Sequence, residues 1–88
     1  METESQIVGR LKDKPKQLRL FETLQDGKRH KAQKLKDEIC HPQARMKALS
    51  GLLFNLRKHL VESELRIVCV YENMNYYYQL IRLYKRPK

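Results

Sequence analysis

Three histidines and two cysteines carry most of the scope for metal or nucleophilic chemistry in this sequence of 88 residues. Cys40 and His41 are adjacent, but no second Cys or His follows at ligand spacing, and His30, His59 and Cys69 stand apart, so no metal site is expected. Two cysteines without a secretory leader do not make a disulfide framework, and both read as small buried apolar residues. Asp37 and Glu38 are neighbours, which on a helix point in different directions. Ser50, Ser63 and Cys40 have no identifiable His–acid partner. No Gly-rich phosphate loop is present. A chain this short has a thin core and little room for a substrate cavity. These features predict no catalytic residue, no cofactor and no small-molecule substrate.

The remaining chemistry is charge. The formal net charge is +9, from 19 Lys and Arg against 10 Asp and Glu. Residues 1–27 are neutral. Residues 28–58 hold nine basic side chains with only Asp37 and Glu38 against them, residues 59–81 are net negative, and the tail adds Arg82, Lys85, Arg86 and Lys88. A concentrated basic segment is the footprint of a polyanionic partner. The longest apolar run, Ile67 to Tyr71, falls far short of the ~18 residues a membrane span needs. The polar start, Met1 to Gln6, is unlike a signal peptide. A cytoplasmic protein is expected, nucleoid-associated if the source is prokaryotic.

The elements that must position this charge follow from apolar spacing. Residues 1–14 lack a sustained period and read as a flexible leader. Pro15 opens a first helix to about Gln25, with Leu18, Phe21 and Leu24 in step and Gly27 as its left-handed cap. A second helix runs from about Ala32 to Ile39, before His41-Pro42. A third, from about Pro42 to Val61, carries the stripe Met46, Leu49, Leu53, Leu56 and Leu60. Opposite that stripe lie Gln43, Ala44, Lys47, Gly51, Phe54, Asn55 and Lys58. A glycine on an exposed helix face suggests close approach of a partner. The pattern then changes to Leu65–Tyr71 and Tyr76–Tyr84 around a polar turn at residues 72–75, a β-hairpin. Ile67, Cys69 and Tyr71 are expected to face the core, while the faces of the second strand stay open. The domain is predicted to span residues 15–84, with a basic tail at 85–88.

Helix, helix, long helix, hairpin is an α+β order and the plan of a winged helix-turn-helix. In that plan the outer face of the third helix enters the major groove, and the hairpin tip reaches the flanking backbone or minor groove. Gln43, Lys47, Asn55 and Lys58 are then candidate base readers, since amides suit adenine and lysine suits guanine or phosphate. Asn73 and Asn75 are candidate wing contacts. Arg29, Lys31, Lys34 and Arg45 are candidate phosphate contacts.

Two runs carry a family resemblance. Pro15-Lys16-Gln17-Leu18-Arg19-Leu20-Phe21-Glu22-Thr23-Leu24 resembles the first helix of the winged-helix output domains of bacterial two-component response regulators. Ser50-Gly51-Leu52-Leu53-Phe54-Asn55-Leu56-Arg57-Lys58-His59-Leu60 is similar to their recognition helix, which ends in leucine-basic-basic-x-leucine. The resemblance covers about residues 15–84 and implies double-stranded DNA as partner, with Lys47, Gly51, Phe54, Asn55 and Lys58 at the groove. The sequence departs from the family at the wing turn, where Glu72-Asn73-Met74-Asn75-Tyr76 replaces arginine-glycine-x-glycine-tyrosine, and in its short link between the second and third helices. No receiver domain is expected before the motif. The expectation is a free-standing transcriptional regulator of the kind phages, plasmids or archaeal viruses encode, without phosphorylation control. Two other readings stay open: RNA or single-strand binding through Tyr71, Tyr76, Tyr77, Tyr78 and Tyr84, and a protein-interaction module. Phe54 and the exposed tyrosines would suit a homodimer surface.

Overall fold

The computed structural model describes residues 3–83, and Tyr84 and the basic tail at 85–88 lie outside them. The architecture is α+β: helical segments packed on one face of a three-stranded antiparallel sheet.

The segment expected to be a flexible leader instead contains a helix, α1 (Glu4–Arg10). Thr3 and Gln6 form a reciprocal capping box: the Thr3 N–H donates to Gln6 Oε1 at 2.8 Å and the Gln6 N–H to Thr3 Oγ1 at 3.3 Å. Ile7 and Leu11 are fully buried in the common core. The core of the domain therefore begins before residue 15. Arg10 donates to the His59 carbonyl at 2.7 Å, and Arg82 pairs with Glu4 at 3.1 Å, so α1 is tied to two distant elements.

Helix α2 (Pro15–Leu24) starts at its proline as expected and buries Leu20, Phe21 and Leu24. The chain then turns through Gly27 at φ 73°, the left-handed angle a glycine cap supplies. Asp26 Oδ1 accepts the Lys28 N–H at 2.8 Å, and Gln79 pins the Gly27 carbonyl to the sheet at 2.7 Å. A two-residue strand that the sequence did not foretell follows, β1 (His30–Lys31).

The second helix is α3 (Ala32–Leu35), continued by one π-helical turn, Lys36–Cys40. Ala32, Leu35 and Ile39 face the core. The third sequence-predicted helix is α4 (Met46–Leu60). It begins four residues later than expected, so Gln43 and Ala44 belong to the preceding turn. Leu49, Leu53, Leu56 and Leu60 are buried, each contributing about 1.5–3 kcal/mol, whereas Met46 at the head of the stripe is exposed.

Strands β2 (Leu65–Glu72) and β3 (Asn75–Arg82) pair in register from Leu65 with Arg82 to Glu72 with Asn75. Lys31 of β1 pairs with Tyr77, giving the order β1-β3-β2. Leu65, Ile67 and Leu80 are buried, with Tyr78 packed beside them, which assigns the inner face of β3 to its even positions. Ile67 faces inward as expected, but Cys69 and Tyr71 are exposed because the hairpin runs on past the end of the core. Cys40 is only half-buried. The hairpin turns on Asn73 (φ 51°) and Met74 (φ 64°), the two left-handed residues of a type I′ turn. Asparagine tolerates that region, but at Met74 the conformation costs roughly 1–2 kcal/mol against glycine.

Candidate nucleic-acid interface

Helix α4 carries the exposed face of the site. At about 100° per residue its buried leucines point one way, and Lys47, Gly51, Phe54, Asn55 and Lys58 fall within roughly 60° of the opposite direction. All five are exposed. Lys47 and Lys58 are eleven residues apart, about 16 Å along the axis. A Cβ added at Gly51 would meet nothing within 4 Å, so the middle of the face is open. Phe54 is 61% exposed, and Lys58 Nζ lies 4.5 Å from its ring centroid in a cation–π contact.

At its N-terminal end α4 has no side-chain cap: Arg45 occupies the cap position and Lys47 the first turn, with no acid there. Cations are unfavourable at the positive end of a helix dipole. The turn before it is held by Lys36, which is 5% exposed and donates to the Pro42 carbonyl at 2.8 Å and the Ala44 carbonyl at 2.7 Å, with Asp37 at 3.0 Å. The Gln43 N–H donates to His41 Nδ1 at 3.1 Å. Gln43 is thus exposed on the turn between α3 and α4, off the face that carries Lys47 and Asn55.

The start of α3, the start of α4 and the hairpin tip border one shallow cleft of about 160 Å³, lined by Lys31, Ala32, Gln33, Met46, Met74, Asn75 and Tyr76. This brings Lys31 and Asn75 together with the end of α4 that carries Arg45 and Lys47. Among the described residues, Lys31, Lys34, Arg45 and Lys47 are exposed and enter no ion pair.

Some other basic side chains of the segment are engaged. Arg29 pairs with Glu72 at the tip of the hairpin, both half-exposed. Arg57 Nη2 donates to the Ile67 carbonyl at 3.3 Å. His30 Nε2 contacts Asp26 Oδ1 at 2.9 Å; that bond and the Lys28 N–H hold the Asp26 carboxyl below the usual carboxylate range.

The hairpin tip differs from a polar wing. Asn73 is exposed, but the Asn75 side chain donates back to the Asn73 carbonyl at 3.0 Å and stabilises the turn. The exposed surface there is Met74, with the rings of Tyr71 and Tyr76 in tilted contact behind it at a centroid distance of 4.7 Å. Tyr77 and Tyr78 are half-buried sheet residues, and burial pushes the Tyr78 hydroxyl up from its ordinary value. Sequence reasoning missed Lys36, Met46 and Met74. The signal for Met74 was its place between two asparagines in the turn; for Lys36 there was none, since a lysine in a basic run reads as solvated.

No helix among the described residues is long and apolar enough to cross a membrane. Comparison with protein-family models, with curated proteins and with solved structures finds no match to this chain.

Proposed function

We propose that this protein is a winged helix-turn-helix module that binds double-stranded DNA and regulates transcription, without chemistry of its own. On this reading α3 and α4 are the helix-turn-helix pair, α4 lies in the major groove, and the β2–β3 hairpin is the wing. The observation that carries it is the set of four exposed, unpaired cations, Lys31, Lys34, Arg45 and Lys47, on α3 and around the start of α4. Arg45 and Lys47 sit where positive charge opposes the helix dipole. A polyanion turns that placement from unfavourable to favourable, since phosphates bind at helix N-termini. The outer face of α4 then meets base edges. Lys47, Asn55 and Lys58 supply the hydrogen-bonding groups, and Phe54 supplies an apolar contact of the kind that suits a thymine methyl.

Lys47→Ala and Asn55→Ala test this in a duplex-binding titration. Neither side chain packs in the core, so both variants should fold like the parent. Each should lose about 1–3 kcal/mol of discrimination at one base position. Parent-like binding by both would remove α4 from the groove.

A second reading has a specific observation behind it. Tyr71 and Tyr76 are 60% and 57% exposed, and aromatic rings beside cations can stack unpaired bases. Competition between a duplex and its separated strands decides between the two: the duplex reading expects the duplex to win.

A further inference from the structure

The hairpin tip combines features that phosphate contact does not explain. Its residues Glu72-Asn73-Met74-Asn75 include no cation. Met74 is 86% exposed and sits at φ 64°, where glycine would be unstrained. No core packing compensates that strain. Strained residues that contribute nothing to folding mark places where the side chain is needed for something else. Behind Met74, the rings of Tyr71 and Tyr76 meet across the strands, tilted by 54°, and stiffen the end of the hairpin. Lys31 lines the cleft beside it, and Arg29 pairs with Glu72 of the tip. A tip that presents Met74 beside Lys31 fits a nucleic acid better than a second copy of this chain, because two copies with a net charge of +9 each repel one another overall.

We propose that Met74 is a wedge that enters the minor groove beside the α4 site, inserts between base pairs and kinks the duplex, an inference that rests on the duplex-binding reading above. Apolar side chains inserted at a base step partly unstack it and bend DNA by roughly 20–90° towards the major groove. Asn73 and Asn75 then shape the turn that presents the wedge, and Tyr71 and Tyr76 brace it.

The test uses the full chain and duplexes of about 30 base pairs enriched by it from a random-sequence pool, a length that accommodates one bent site. Dyes at the two ends report the bend, and 2-aminopurine placed along the flank reports unstacking. Met74→Gly removes the wedge while relieving the turn, so it should melt no lower than the parent. The parent should shorten the end-to-end distance and brighten 2-aminopurine at one step. M74G should bind about tenfold more weakly, the scale of one lost interface anchor, without bend or brightening, and Met74→Leu should keep both. A straight duplex with bound parent, or equal bends with parent and M74G, would overturn the wedge and leave duplex binding standing. If no duplex is enriched at all, both readings fall. A change in sedimentation of M74G with unchanged bending would make the tip a self-contact and also overturn the wedge.

Discussion

A buried lysine changes what the basic segment is for. Lys36 lies in the positive run, yet its ammonium is buried and bonded to the carbonyls of Pro42 and Ala44, so it shapes the turn between α3 and α4. Lys36→Met keeps the length of the side chain and removes the donors. We expect a loss of about 1–3 kcal/mol from the carbonyls left without it, read as a melting-point drop of roughly 4–8 °C per kcal/mol for a domain of this size. An unchanged melting point would mean the turn holds itself. Arg29 illustrates the opposite case, a surface cation restrained by Glu72. Glu72→Gln should release it. On the DNA-binding reading the variant binds duplexes more tightly, and its slope of log affinity against log salt steepens by about 0.9 for the added phosphate contact. A slope equal to the parent's would place Arg29 outside the interface.

At the scale of elements, legibility followed the strength of local pattern. Helices α2 and α4 and the hairpin could be read because their leucines and β-branched residues recur over ten or more positions. Helix α1 could not, because only Ile7 and Leu11 mark its inner face and its cap lies among polar residues. Strand β1 is two residues long and exists through its pairing with Tyr77 and Tyr78, a tertiary effect. The start of α4 was misplaced for a related reason. Pro42 looks like a first helical residue, but the bonds from Lys36 hold residues 42–44 in a turn. The candidate face was legible from Lys47 to Lys58, whereas the character of the wing was not, since parity says nothing of where a hairpin outruns its core. The prediction at this scale concerns α1. Ile7→Ala should cost about 2–5 kcal/mol, as for other fully buried isoleucines, measured by denaturant unfolding. A change below about 0.5 kcal/mol, the range of ordinary surface substitutions, would show that α1 does not belong to the core.

For the whole molecule, the distribution of charge matters more than its sum. The net charge of +9 is concentrated in residues 28–58 and the tail. Within the described part, the ion pairs Arg29–Glu72 and Lys36–Asp37 leave Lys31, Lys34, Arg45 and Lys47 as exposed cations without an ion pair on α3 and around the start of α4, with Lys58 farther along α4. Each phosphate neutralised contributes about −0.9 to the dependence of log affinity on log salt. The most direct measurement is therefore duplex affinity over a range of salt concentrations, for the parent and for a variant carrying Lys31→Glu and Lys34→Glu. Four or five contacts predict a slope near −4 for the parent, and the variant should be flatter by roughly two with its sequence preference unchanged. A slope near zero for the parent, repeated in the variant, would show the basic segment to be a solvated surface and would contradict DNA binding.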